Sequence, residues 1–213
     1  MQDRLRSYLV LRRLTALALP AFLLTACATT PPSKPDDLCA IFYEKNGWFE
    51  DAVATEKRWG VPIPVQMAIM RHESSFRHDA KPPRYYFLGF IPWGYISSAE
   101  GYAQALDGTW DWYLRNNKRR GASRNDFDDS LDFIGWYLHT SKRRIGLSPD
   151  DAYSHYLAYH EGQTGFIQGT WKTKPNVQRY AQKVAATASR YRSQLEGCRT
   201  GLENRRSWWW PFG

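Results

Sequence analysis

Two catalytic signatures are missing from this chain of 213 residues. A zinc-protease helix needs His-Glu-x-x-His, which places both histidines on one face, but Phe76 stands where a second ligand would follow His72. His160 and Glu161 fail in the same way, because Thr164 occupies the second ligand position. No Gly-x-Ser-x-Gly elbow is present either. These absences exclude both hydrolase classes, and no metal or organic cofactor is implied.

The chain also lacks a series of strand-like segments, an internal repeat and a recognisable nucleic-acid motif. Helical periodicity runs through most of it, which predicts an all-α fold. The net charge of +8 suits an acidic partner, such as the cell wall or anionic lipid headgroups. Because the basic residues are scattered, nucleic acid is not expected as a partner.

The N-terminal segment has an apolar run that is too short to span a bilayer. Four arginines precede this run, which extends from Leu14 to Ala26, and this is the pattern of a secretory signal. The run ends in Leu-Thr-Ala-Cys, which resembles a bacterial lipobox with Cys27 as the lipidated residue. An ordinary signal with a chance cysteine is the alternative. Ala28, in place of aspartate, points to the outer membrane on its periplasmic side.

The composition divides the chain into four segments. Residues 1–26 are predicted to be the lipoprotein signal peptide, and residues 27–36 a lipidated cysteine with a proline-rich tether. The folded domain then spans residues 37–198, a typical length for one domain. Residues 199–213 form a tail with a Trp-Trp-Trp-Pro-Phe sequence, which predicts a weak second membrane contact. A disordered end is the alternative.

The sequence holds only three cysteines, and the lipid would occupy one of them. Cys39 and Cys198 stand at the two ends of the predicted domain. In an oxidising periplasm they could form one disulfide. Two reduced, buried thiols are the alternative.

Residues 77–100 resist assignment to a helix. A loop this long in a compact domain is usually functional or disordered, and its many aromatic residues favour an ordered wall of a groove. The aromatic residues are Tyr85, Tyr86, Phe87, Trp93 and Tyr95. They could line binding subsites, or they could pack the loop onto the helices. We expect that more of them serve in packing.

Glu73 stands where an apolar helical pattern ends. Ile69 and Met70 share its helix face, so burial would raise the pKa of its carboxyl group. The negative potential at a helix C-terminus acts in the same direction. A raised pKa suits a general acid near neutral pH. A half-exposed glutamate at a helix end is the alternative.

Three short motifs occur in order along the chain. They are Glu-Ser-Ser-Phe at 73–76, Ser-Ala-Glu-Gly-Tyr-Ala-Gln-Ala-Leu at 98–106 and Ala-Tyr-His-Glu-Gly at 158–162. Together they resemble the Glu-Ser, Gly-Leu-Met-Gln and Ala-Tyr-Asn-x-Gly motifs of lytic transglycosylases with a soluble-lytic-transglycosylase (SLT) domain. Tyr102 and Ala103 replace Leu-Met, and His160 replaces Asn, which indicates a divergent branch.

The resemblance implies a lysozyme-like (goose-type/SLT) fold and a single catalytic glutamate, Glu73. This glutamate would protonate the glycosidic oxygen and then take a proton from the C6 hydroxyl of the same sugar. A 1,6-anhydromuramoyl product results, so the second carboxylate of ordinary glycosidases is not needed. Glu161, the nearest candidate for a second one, occupies the variable motif position and is interpreted as a rim residue.

The resemblance also implies roles for four neighbours of Glu73. Tyr159 would hold or tune the glutamate, and Ser74 would orient it or contact sugar. Gln104 would hydrogen-bond the substrate or its N-acetyl group, and His160 would be a polar contact. Core packing is the alternative for Tyr159, and capping of loop backbone is the alternative for Gln104.

Two other functions are compatible with these residues. A hydrolytic muramidase would use Glu73 but needs a positioned base, which the sequence does not reveal. A non-catalytic, peptidoglycan-binding lipoprotein is the alternative of another class. In each case peptidoglycan strands are the expected partner, the outer membrane is the expected location, and the protein is expected to be a monomer.

Overall fold

The computed structural model describes residues 30–209. The predicted signal peptide, the predicted lipidation site Cys27 and residues 210–213 lie outside this range. The elements are α1 (Leu38–Glu44), α2 (Trp48–Trp59), α3 (Ile63–Ser74), β1 (Arg84–Phe87), β2 (Ile91–Tyr95), α4 (Asp107–Asn117), α5 (Phe127–Ile145), α6 (Ala152–Gln168), a 3-10 turn (Thr170–Thr173) and α7 (Pro175–Trp209). The fold is therefore predominantly helical, which confirms the predicted all-α class.

Aspartates fix the starts of three helices. The side chains of Asp37, Asp126 and Asp151 accept hydrogen bonds from backbone N–H groups in the first turns of α1, α5 and α6. Such caps satisfy donors that the helix itself leaves unpaired. Helix α2 runs from Trp48 to Trp59, between Gly47 and Gly60. Both glycines adopt positive φ values at its ends, which glycine does at little cost.

Helix α5 forms the centre of the core and packs against α2, α3, α4 and α6. Leu131, Ile134 and Leu138 are fully buried on one side, and Phe133, Trp136 and Tyr137 are buried on the other. Both sides of the helix are therefore covered by other elements. Gly135 permits the approach of α2, because a Cβ atom there would lie 2.6 Å from the Thr55 side chain. Helix α3, which carries Glu73, lies between α5 and the long helix α7.

The two ends of the domain meet on α7. Cys39 of α1 and Cys198 of α7 are joined by a disulfide, with their Cα atoms 6.1 Å apart. Ahead of α1, Ser33 donates two hydrogen bonds to Glu44. Helix α7 continues beyond Cys198 to Trp209, and Arg205 donates a hydrogen bond to Asn46. Residues on both sides of the predicted domain limits therefore contact the helices.

Residues 77–100 contain a β-hairpin, which the sequence analysis did not predict. Strands β1 and β2 are antiparallel, with Arg84 opposite Tyr95 and Tyr85 opposite Gly94. The expectation that packing onto the helices dominates here is wrong, because Tyr85, Tyr86, Trp93 and Tyr95 are all exposed.

Among residues 30–209, no helix is both long enough and apolar enough to cross a membrane.

Candidate active site

Glu73 lies in the last turn of α3, and the chain leaves that helix through a tightly held turn. Ser75 and Phe76 have φ values of 55° and 59°, in the left-handed region that residues other than glycine seldom adopt. Phe76 is fully buried, with its ring centroid 5.9 Å from that of Trp48. Burial of this ring offsets the backbone strain and fixes the end of α3. Such strain is common where a fold holds a functional group.

The Glu73 carboxyl group sits in an environment that favours its neutral form. Its side chain keeps a small exposed fraction, but protein surrounds it on most sides. Burial raises its pKa to about 8, and no other charged group contributes resolvably to this shift. Within the described residues the carboxyl group receives no hydrogen bond from the protein. At neutral pH it is therefore mostly protonated and free to donate.

Three tyrosines lie within electrostatic range of Glu73. Burial, and next the negative charge of Glu73, raise the pKa of Tyr156, Tyr159 and Tyr180 above its ordinary value. The three phenols therefore stay neutral under all physiological conditions. Neutral phenols place no charge of their own near the carboxyl group.

The Tyr159 hydroxyl joins two of the three motifs. It donates a hydrogen bond of 2.6 Å to the Ala103 carbonyl in the middle motif. Its ring packs on Tyr137, with centroids 5.1 Å apart, and Tyr137 donates in turn to the Ala158 carbonyl. Tyr159 therefore lies close enough to Glu73 for the glutamate charge to raise its pKa, while its hydroxyl holds the loop beside α6.

Gln104 uses its side-chain amide to shape the middle motif. Its Nε2 donates to the carbonyls of Ala80 and Gly101, both at 2.9 Å. Gly101 has a φ of 75°, and a Cβ atom there would lie 1.9 Å from the Arg124 carbonyl oxygen. Only glycine fits at this position. Gln104 is partly exposed, and its carbonyl oxygen accepts no hydrogen bond from the described residues.

Tyr102 and Ala103, which replace Leu-Met of the family motif, point into the core. Both are buried, and the Tyr102 ring packs edge-on against Trp48 and Phe127. The substitution thus changes the packing behind the loop. The backbone of this motif still meets Tyr159.

Ser74 and His160 differ in exposure and in their partners. Ser74 is buried, and its hydroxyl contacts the Met70 carbonyl of its own helix at 3.4 Å. His160 is exposed, and its Nδ1 lies 3.1 Å from the Glu161 carboxylate. Ser74 therefore supports the helix end, whereas His160 stands at a rim that solvent reaches.

Glu161 is held as a fixed anion. Lys174 Nζ lies 2.8 Å from one of its oxygens, and Thr170 donates to the same oxygen at 2.5 Å. The Lys174 and Thr170 hydrogen bonds lower the pKa of Glu161 to about 2. The next residue, Gly162, has φ 75° and ψ 155° and kinks α6, which explains the glycine of this motif. A carboxylate so stabilised is a weak base.

Tyr156 and Tyr180 also lie near the site, although the sequence motifs assign them no part in it. Tyr180 donates to the His72 carbonyl at 2.8 Å, and its ring lies 5.4 Å from that of Tyr156. His72 also pairs with Thr187 at 2.9 Å, so α7 is fastened to the last turn of α3. Tyr156 lies one turn before Tyr159, and that spacing was the only signal in the sequence.

Two surface clefts occur elsewhere on the molecule, with volumes of about 470 and 360 Å³. Neither is lined by Glu73, Gln104 or Tyr159. The contacts among the three motifs, rather than the size of a cleft, therefore locate the candidate site.

Tyr159 connects the three motifs, because it donates to Ala103 and lies within electrostatic range of Glu73. The model of the transglycosylase SLT domain family matches residues 15–198. The chain belongs to this family. This SLT protein is thus of the lytic-transglycosylase type, which acts on peptidoglycan, and its helical architecture is that of the lysozyme-like SLT fold. The match includes Glu73, Gln104 and Tyr159. None of the curated proteins matches the chain.

Proposed function

We propose that this protein cleaves the β-1,4 bond between N-acetylmuramic acid and N-acetylglucosamine, with a 1,6-anhydromuramoyl product and Glu73 as the only acid and base. The raised pKa of Glu73, at about 8, is the observation that carries the proposal. A carboxyl group that is neutral at the working pH has a proton to give to a leaving oxygen.

In the first step the protonated Glu73 donates to the glycosidic oxygen. The bond from C1 of the muramoyl sugar to that oxygen breaks, and the N-acetylglucosamine side leaves as an alcohol. Positive charge develops at C1, and Glu73 is left as a carboxylate. The neutral hydroxyls of Tyr156, Tyr159 and Tyr180 add no competing negative charge.

In the second step the Glu73 carboxylate accepts the proton of the C6 hydroxyl on the same muramoyl sugar. The C6 oxygen bonds to C1 and closes the anhydro ring, so Glu73 regains the proton that it gave. A base with a pKa near 8 is strong enough for this transfer. Water takes no part, and the atoms balance without a second nucleophile.

The lack of a second suitable carboxylate supports this single-residue mechanism. Ordinary glycosidases place two carboxyl groups across the bond, at least ~5 Å apart. Among residues 30–209, no other carboxylate contributes resolvably to the pKa shift of Glu73. Glu161 is committed to Lys174 and Thr170. A muramidase that activates water would need a second, positioned base, and Glu161 does not fit that role.

The proposal also includes the cellular location and the substrate of the enzyme. A lipid on Cys27 would hold it on the periplasmic side of the outer membrane, with peptidoglycan strands as its substrate. Without the four arginines and one aspartate of residues 1–26 the net charge falls from +8 to +5, and this basic excess favours contact with acidic polymers and anionic lipids.

The test uses the chain from Ala28 onward on purified sacculi, because residues 30–36 contact the helical domain. Released fragments are read by mass spectrometry for this protein, for Glu73→Gln and for Glu196→Gln, an exposed control on α7. We expect anhydro-muropeptides from all but Glu73→Gln. Reducing-end products would establish a muramidase instead. Binding to sacculi without release, unchanged in Glu73→Gln, would favour a non-catalytic binding protein.

A further inference from the structure

The β1–β2 hairpin gathers most of the exposed large apolar side chains, counted over those whose burial the structure describes. Eight of the twelve fall within residues 85–96. The most exposed are Trp93 at 73%, Phe90 at 72% and Leu88 at 68%. A concentration of exposed apolar surface in one segment is typical of a binding surface rather than of ordinary exposure.

Both faces of the hairpin are open. Side chains alternate between the two faces of a strand, so a hairpin that rested on the protein would bury one face. Every residue of β2 is exposed, and so are Tyr85 and Tyr86 of β1. The two strands contact chiefly each other. A lone two-stranded hairpin is marginally stable in water, so this one suits an external partner.

The turn at the tip carries a leucine where the backbone disfavours one. Leu88 and Gly89 have φ values of 54° and 81°. Glycine adopts such values readily, whereas a bulky residue does so at a cost. Because Leu88 is also exposed, neither backbone preference nor burial within the protein explains why leucine occupies this position. An apolar partner that covers the tip would explain it.

The chemistry of the hairpin fits lipid better than sugar. Residues 85–96 contain no amide, carboxylate, aliphatic hydroxyl, imidazole or cationic side chain. A glycan site needs such polar groups to fix its hydroxyls. Leu88, Ile91 and Ile96 offer no flat face for a sugar ring. Tryptophan and tyrosine beside aliphatic residues are typical of the membrane interface.

Basic groups stand at the base of the hairpin. The Arg84 guanidinium lies 5.2 Å from the centre of the Tyr95 ring, and the Lys81 ammonium lies 5.6 Å from it. No aspartate or glutamate occurs from Ala80 to Ala99. Lys81 is paired with Glu100 at 3.3 Å, so it is chiefly Arg84 that makes the base complementary to the phosphates of an anionic bilayer, while the tip is complementary to its acyl chains.

We propose that the β1–β2 hairpin docks on an anionic phospholipid bilayer. Leu88 and Phe90 enter the boundary between headgroups and acyl chains, and Arg84 lies at phosphate level. A strand of this length spans roughly 15 Å, which suits an insertion of roughly 5–10 Å for the tip. This docking does not depend on the proposed catalytic chemistry. Because β1 begins shortly after α3, it would hold Glu73 close to the membrane surface.

The test places an environment-sensitive fluorophore at the tip of the full chain. The Cys27→Ser change removes the predicted lipid and, with Cys39 and Cys198 bonded to each other, leaves one engineered thiol. Leu88→Cys reports on the tip, and Lys142→Cys, an exposed position on α5, is the matched control. Vesicles of phosphatidylethanolamine with phosphatidylglycerol are added, with and without a lipid-borne quencher.

We expect a blue shift and quenching at position 88 but not at position 142, with Phe90→Asp weakening the response about tenfold. Phe90 is exposed, so this change leaves the thermal unfolding temperature nearly unaltered. If the label at 88 stays in water while the chain sediments with vesicles, another segment binds the membrane and the proposal fails. If the label responds to soluble muropeptides and not to vesicles, the hairpin is a glycan surface and the proposal also fails.

Discussion

The Tyr159 hydroxyl donates to the Ala103 carbonyl at 2.6 Å, and this bond connects residues that are 56 positions apart in the chain. Tyr159 lies on α6 within electrostatic range of Glu73, and Ala103 lies in the middle motif beside Gln104. One phenol thus sets the spacing between two walls of the site. The Tyr159 hydroxyl stays neutral, because burial and the charge of Glu73 raise its pKa well above the ordinary value.

We expect Tyr159→Phe to lower kcat by about tenfold, with a loss of stability near 1 kcal/mol. The Ala103 carbonyl would lose its partner, and the middle motif would move relative to Glu73. Muropeptide release and urea unfolding measure the two effects. Tyr153→Phe, on the same helix, should leave both unchanged. Unaltered kcat in Tyr159→Phe would mean that its hydroxyl plays no part in positioning.

The activity should fall as pH rises through about 8. The protonated form of Glu73 starts the reaction, and its pKa is raised to about 8 by burial. Above that value kcat/KM should drop by about tenfold per pH unit, because it reports the ionisation of the free enzyme. Initial rates of muropeptide release between pH 6 and 10 measure this limb. A rate that rises between pH 7 and 9 would contradict the role of Glu73 as the acid.

The same carboxyl group should make the folded protein less stable as pH rises. Its pKa is about 4.5 in the unfolded chain and about 8 in the folded one. Its unfavourable effect is absent below the unfolded pKa, grows between the two values and is complete above about 8. Glu73→Gln should therefore stabilise the fold by on the order of 3 kcal/mol at pH 7. Urea unfolding at pH 4.5 and pH 7 is the measurement, and an equal effect at both would refute the shifted pKa.

Gly101→Ala should be much more harmful than Gly146→Ala. Both glycines have positive φ, at 75° and 73°, but only Gly101 faces a backbone carbonyl, that of Arg124. Alanine at 146 meets open space, so it should cost only the backbone strain, about 1 kcal/mol. Alanine at 101 must also displace the backbone of Arg124, and we expect at least ~3 kcal/mol. Thermal unfolding compares the two, and similar losses would mean that the loop yields freely.

The sequence predicted the helices whose ends carry strong local signals. Helix α2 lies between Gly47 and Gly60, which both stop helices, and α6 begins at a cap that Asp151 provides. Helix α4 was missed because only Trp110 and Tyr113 of its eleven residues are buried, so it has no clear apolar stripe.

Other features depend on contacts between distant residues, which the periodicity of the sequence does not reveal. The hairpin was missed because both of its faces are exposed, so its strands do not alternate between apolar and polar residues. Tyr180 was missed because its contact with His72 joins two helices 108 residues apart. The position of Glu73 was predictable, since the apolar turn before it and the motif after it are both local. The direction of the Tyr159 hydroxyl was not, since it depends on where the Ala103 backbone lies.

Asp132 should prove to be the most sensitive carboxylate outside the site. It is buried on α5 and accepts hydrogen bonds from Trp59 at 2.8 Å and Tyr113 at 2.7 Å, with Arg58 at 3.2 Å. Asp132→Ala leaves these donors unpaired in the core, so we expect a loss of about 3–5 kcal/mol.

The matched control for Asp132 is Asp111→Ala, an exposed position on α4 that should shift stability by less than ~0.5 kcal/mol. Urea unfolding at pH 7 gives both values. Asp132→Asn keeps the shape of the side chain and two acceptor lone pairs. Its loss of stability should therefore fall between those of Asp111→Ala and Asp132→Ala. A loss as small as that of Asp111→Ala would show that water or a rearranged Arg58 replaces the carboxylate.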